Sequence, residues 1–249
     1  TMTCPRALGP VLVFLCVAPP TSSGLSNHPS NGLRHLASAR LMHTSMILWK
    51  GGLVETITRC QLGDRKIWRV THYPQDPTQS DINDFDLYDL DQQTFAPLRS
   101  VMNTADYRLE LIFTEKEVTL RKTTAQGGTT EQIPLSTAVQ PEGPGLDVFV
   151  AMLPLKRGYK VQYSIVDGWG GHRGTRVKAV TLSVLGQITK DTHLGKRSVY
   201  NVLIKPDDDS FRIREEVLAE SPHLPVSVEF TRDGKTYPMS EVIGVASQD

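Results

Sequence analysis

Six aspartates, Asp76, Asp81, Asp84, Asp86, Asp89 and Asp91, crowd a stretch that contains no Lys or Arg. A calcium loop needs oxygen ligands at alternate positions and a glycine for its sharp turn. From Asp81 the alternation reaches Asn83 and then Phe85; from Asp84 it reaches Asp86 and then Tyr88, and no glycine follows. The spacing predicts a solvated loop running into a strand, not a calcium site. A second candidate, Gly168-Trp169-Gly170-Gly171-His172-Arg173-Gly174, is rich in glycine, but Arg173 stands where a dinucleotide fingerprint requires its third glycine. It also leads into a strand pattern, which offers a phosphate no helix N-terminus. The reading is a long hairpin turn; the alternative is a ligand loop in which Trp169, His172 and Arg173 contact something polar.

The histidines are His28, His35, His43, His72, His172, His193 and His223, and no two fall at i,i+2 or i,i+4. Local metal pairing is therefore absent, and His72, at a strand end, is expected to be a surface histidine. No G-x-S-x-G elbow, H-E-x-x-H, P-loop or C-x-x-C occurs. The expectation is no catalytic residue, no metal and no cofactor. An enzyme on this chain would have to assemble its residues from distant strands and loops.

The elements that would do the positioning are strands. In Tyr159-Lys160-Val161-Gln162-Tyr163-Ser164-Ile165 every odd position is apolar or aromatic and every even one is polar. At 180° per residue the four large side chains share a face; at 100° they scatter. Tyr107, Leu109, Leu111 and Phe113 repeat the pattern, and Val118 and Leu120 follow after Thr114-Glu115-Lys116, as in a hairpin. Similar runs are Met46–Trp49, Val54–Thr58, Ile67–His72, Phe85–Leu90, Phe95–Arg99, Thr175–Leu185, Val199–Ile204, Phe211–Val217, Val226–Thr231 and Tyr237–Val242. Asp233-Gly234 joins the last two in the manner of a tight hairpin. One stretch differs: after Pro141-Glu142-Gly143-Pro144-Gly145, the residues Leu146, Phe149, Val150 and Leu153 fall at helical spacing before Pro154. The predicted fold is mainly β, a large curved antiparallel sheet of about a dozen strands, open or half-barrel, with one short helix packed on it.

The 249 residues carry 27 basic and 27 acidic side chains, so the net charge is zero and nucleic acid is excluded as a partner. Arg6 is the only charged residue before Arg34, and Val11–Ala18 forms an apolar run too short to span a bilayer. Basic start, apolar run and the Pro19–Gly24 tail form the tripartite pattern of a cleaved secretory signal. Residues 1–24 are read as that signal, 25–40 as a flexible lead-in and 41–249 as a single β domain, periplasmic or secreted. Leu15 before Cys16 does not suit lipidation. With Cys4 and Cys16 in the leader, Cys60 stands alone and is read as a small buried thiol without a disulfide.

Leu153-Pro154-Leu155-Lys156-Arg157-Gly158-Tyr159, between the helix and an alternating strand, resembles an L-P-L-K-x-G-Y motif. The segment Leu87-Tyr88-Asp89-Leu90-Asp91-Gln92-Gln93-Thr94-Phe95-Ala96-Pro97-Leu98 resembles the strand pair that precedes it, and Val184-Leu185-Gly186 a later strand end. Together they resemble a family of secreted or periplasmic bacterial proteins classed only as a domain of unknown function. Phe95 departs from that family's usual leucine. The resemblance implies a long antiparallel sheet curled around a helix, similar in outline to the lipoprotein carriers LolA and LolB. It implies no catalytic residue.

Function is accordingly expected to be non-enzymatic: an exported β protein binding a lipid or acyl chain, or acting as an envelope accessory. The expected ligand face is Tyr107, Leu109, Leu111, Phe113, Leu153, Tyr159, Val161, Tyr163 and Ile165, which would otherwise be ordinary core. Two rival readings are a hydrolase of envelope polymers, with residues from Gly168–Gly174 and Asp76–Asp84, and a purely structural module. His72 or His172 beside a carboxylate in a polar cleft would favour the enzyme; an apolar tunnel lined by Tyr159, Tyr163 and Leu111 would favour the binder.

Overall fold

The computed structural model describes residues 44–75, 85–167 and 176–248. The predicted leader and lead-in, the Gly168–Gly174 loop and most of the aspartate run lie outside them. Among the described residues are fifteen strands and one helix: β1 (Thr44–Trp49), β2 (Leu53–Leu62), β3 (Arg65–Pro74), β4 (Phe85–Asp91), β5 (Pro97–Asn103), β6 (Tyr107–Phe113), β7 (Glu117–Thr124), β8 (Gly127–Pro134), β9 (Val139–Gln140), α1 (Pro144–Met152), β10 (Lys160–Val166), β11 (Val177–Thr192), β12 (Gly195–Pro206), β13 (Phe211–Leu218), β14 (Pro225–Arg232) and β15 (Lys235–Gln248). The predominantly β prediction with one short helix is correct, and β8 and β9 are strands that the alternation did not reveal. Phe95 is not in a strand; it sits in the β4–β5 turn at φ 57, wholly buried.

All fifteen strands form one sheet, in the order β8-β7-β6-β5-β4-β3-β2-β1-β15-β14-β13-β12-β11-β10-β9. One meander runs outward from β1 to β8, a second returns from β10 to β15, and the first and last strands meet in the middle, with Met46 opposite Ala246. Short β9 lies parallel to β10. The tight turns follow local chemistry. Asp233 and Gly234, at φ 51 and 73, form the two-residue loop in which both central positions need positive φ. Thr104, Thr114 and Thr124 each open a hairpin, and each hydroxyl donates to the carbonyl three residues on, at 3.2, 2.9 and 3.1 Å.

The sheet curls until its two ends share one apolar cluster. Met102, Leu109, Leu111, Val118, Leu120 and Ile133 from β5–β8 pack with Val139 and Val166 from β9 and β10. Outside that seam, Arg176 donates to Glu131 at 3.1 Å. The result is barrel-like, and α1 fills its interior. Every residue from Gly145 to Leu153 is buried. Leu146, Phe149, Val150 and Leu153 pack against β10–β13, while Val148 and Met152 pack against β1–β4. Nothing in the helix's own chemistry would sustain two turns in water: it is short, and no side chain caps its N-terminus. Burial on both sides holds it. Cys60 on β2 is disulfide-bonded, which corrects the free-thiol expectation; the chain's other cysteines, Cys4 and Cys16, lie outside the described residues.

Candidate functional site

Apolar walls surround one polar cluster. Register places Glu55 of β2 opposite His72 of β3, and His72 opposite Asp86 of β4, in one inward-facing row. On the far wall β13 carries Glu215, opposite Val228. The helix brings Asp147 between the two walls. Glu55 is 0%, Asp147 8% and Glu215 2% exposed. His72, with 16% of its side chain exposed, is the edge of the cluster nearest water.

Glu55 Oε2 accepts from Trp49 Nε1 at 3.3 Å and meets His72 Nε2 at 2.7 Å. Asp147 lies beside both Glu55 and Glu215. Burial, reinforced by the charges of Glu55 and Glu215, holds its carboxyl far above the ordinary carboxylate range. Burial also pushes Glu215 up to about 7. Beside Glu215, burial and that carboxylate raise the Tyr163 phenol far above its usual value, and its hydroxyl has no hydrogen-bond partner. Clustered carboxyls perturbed by burial are the raw material of acid–base chemistry, and here they lie beneath the helix. Glu55, His72 and Asp147 each present a ligand atom, all within 4.8 Å of one another.

His72 is therefore not the surface histidine expected of a strand end. It points inward, because the β2–β3 register puts it on the face of Glu55 and Val70 rather than that of Thr71. The imidazole reaches a carboxylate that is itself fully buried, and keeps 16% of its own side chain exposed. His172 lies outside the described residues.

The nine predicted ligand residues divide between two apolar clusters. Leu153, Tyr159, Val161, Tyr163 and Ile165 belong to the cluster around α1. Tyr107, Leu109, Leu111 and Phe113 belong to the cluster at the seam. The first set lies on β10 and the segment leading into it, the second on β6, near the other end of the sheet order, a division that periodicity cannot reveal. Asp86, Asp89 and Asp91 also part company. Asp89 lies on the other face of β4, buried, and pairs with Arg69, with nitrogen–oxygen distances of 2.6 and 2.7 Å. Asp91 caps its own turn, accepting from the Gln93 and Thr94 amides at 3.0 and 2.9 Å. Sequence reasoning missed Glu55, Asp147 and Glu215 altogether. A usable signal existed at Asp147, the one acidic residue inside an otherwise apolar helix.

Among the described residues no helix is long and apolar enough to cross a membrane. No curated protein matches this chain. Among solved structures, the chain is similar to a beta-barrel-like protein of domain of unknown function DUF1849 from Brucella abortus, at 13% identity and a TM-score of 0.44, over 83% of this chain and 98% of that one. A family model matches residues 52–233, and the chain belongs to that family of proteins of unknown function, DUF3108.

Proposed function

We propose that this chain is an exported, non-enzymatic envelope protein that takes up a lipid or acyl chain in the interior occupied by α1. One observation carries the reading: the interior is filled by a single short helix rather than by interdigitating strands. Tyr163, Leu182, Val202, Ile204 and Phe211 line an apolar wall against which Leu146, Phe149 and Val150 of α1 pack, with Leu153 and Leu155 just beyond it. Moving that helix aside would open a lined space without unpairing a strand. This is the arrangement implied by the outline of LolA- and LolB-type carriers, a curled sheet around a helix.

The N-terminal apolar run, with the form of a secretory leader, supports export. Removing residues 1–24 would also remove Cys4 and Cys16, and with them any partner for Cys60 within the chain. Intact mass under non-reducing conditions separates a cleaved chain from one that keeps an internal bridge.

The ligand reading is tested by native mass spectrometry of gently purified protein and by titrating the delipidated chain with a fluorescent fatty acid. A co-purified apolar mass and saturable, displaceable uptake of one probe per chain support it. A clean apo mass with no displaceable probe removes it.

A hydrolase is the second reading, favoured by the 2.7 Å approach of His72 to Glu55. Its test is release of soluble fragments from purified envelope polymers. Release that disappears in His72→Ala would replace the binder with the enzyme.

A further inference from the structure

Among the described residues the other buried carboxylates are neutralised by Arg or Lys. Asp89 is held by Arg69, and Asp167 by Arg232 at 3.0 and 2.8 Å with Lys178 at 4.0 Å. Glu55, Asp147 and Glu215 break the pattern. Among the described residues no Arg or Lys pairs with this trio, and the His72 imidazole meets Glu55. Glu55 Oε1 and both Glu215 oxygens accept from no N–H or hydroxyl, and the buried Tyr163 Oη close to Glu215 donates to nothing. Buried oxygens in that state lack the compensation that folding normally supplies.

Their arrangement fits a cation. Two carboxylates and one imidazole form a mixed oxygen–nitrogen set suited to zinc or manganese. Calcium would want six or more oxygens, and copper(I) would want sulfur. We propose that Glu55, His72 and Asp147 bind one divalent transition-metal ion, Zn²⁺ or Mn²⁺, with Glu215 and Tyr163 beside it. The ligands come from β2, β3 and α1, so the ion ties the helix to the sheet. The partly exposed His72 marks the side from which the ion enters. This site does not depend on the apolar-ligand reading, and each survives the failure of the other.

The test uses the full chain after chelator treatment, with zinc or manganese chloride as the only addition. Calorimetric titration is expected to give one ion per chain, and the melting temperature is expected to climb with metal concentration, as it must when a ligand binds only the folded state. His72→Ala and Asp147→Asn should each weaken binding at least tenfold, while Asp64→Asn, in the exposed β2–β3 turn, should leave it unchanged. Should either site variant fail to fold by circular dichroism, electron spin-echo spectroscopy of Mn²⁺ on the wild-type chain decides. Modulation from an imidazole nitrogen supports the site. Absence of saturable binding, unchanged affinity in folded site variants, or a manganese echo lacking that nitrogen overturns it.

Discussion

His72 Nε2 lies 2.7 Å from Glu55 Oε2 across the β2–β3 register pair, beneath a helix that brings Asp147 to the same point. The pairing links three otherwise separate facts. It explains why a strand-end histidine faces inward, why a glutamate can sit fully buried, and why α1 carries one acid among apolar residues. The helix thus rests on apolar walls with a polar pin beneath it.

Tyr163 tests the wall. Its ring packs edge-on to Phe149 with centroids 5.2 Å apart, so Tyr163→Ala should cost about 3–5 kcal/mol by leaving a void. Tyr163→Phe removes only a buried hydroxyl without a partner and should be neutral or mildly stabilising, within about 1 kcal/mol. Urea unfolding measures both. A large loss in the Phe variant would mean that the hydroxyl has an essential partner.

The carboxyl cluster sets a pH dependence in the metal-free chain. Glu215 titrates at about 7 in the fold and near 4.5 when unfolded, so the native state holds the proton more tightly. Its stabilising contribution is complete below 4.5 and is lost as pH rises through 7. Relative to Glu215→Gln, wild-type stability should therefore fall by on the order of 3 kcal/mol across that window. A difference that stays flat, or rises with pH, contradicts the assignment.

Arg69 and Asp89 form a buried, two-pronged ion pair with Asp89 fully enclosed. Arg69→Met strands a charge and should cost about 3–5 kcal/mol; Arg69→Met with Asp89→Leu should recover most of it. Chemical denaturation of the two variants checks this. Equal losses would show that packing, not the lone charge, dominates.

Gly143 enters α1 at φ 56, and a Cβ there would strike the Tyr88 ring. Gly158 has φ 77 with open space around it. Gly158→Ala should cost about 1–2 kcal/mol through its backbone alone. Gly143→Ala should cost more, since the ring must also move. Thermal melts of the two should rank in that order, and the reverse order would mean that the helix entry is not tightly seated on Tyr88.

Much of the fold was legible because strands announce themselves locally. Alternation at 159–165 and 107–113, Asp233-Gly234, and the break at Pro141–Gly145 each follow from the geometry of a few neighbouring residues. The threonines at 104, 114 and 124 carried a further hairpin signal in the sequence. Strand β8 was hidden because its residues are mostly exposed and polar, so no face alternates. The candidate site was not legible for a different reason. Glu55, His72, Asp147 and Glu215 meet only because the sheet curls and the helix turns inward, and no spacing along the chain encodes that closure. The same closure sends Tyr107 and Tyr163 to different clusters although their strands look alike.

The most direct test asks whether α1 stands where an apolar ligand goes. Hydrogen exchange of residues 144–152 should be followed in the delipidated chain with and without a saturating fatty acid. If the helix yields its place, its amides lose protection when the fatty acid binds while those of β11–β13 keep theirs. Bound fatty acid with α1 equally protected, or no bound fatty acid at all, would contradict the account.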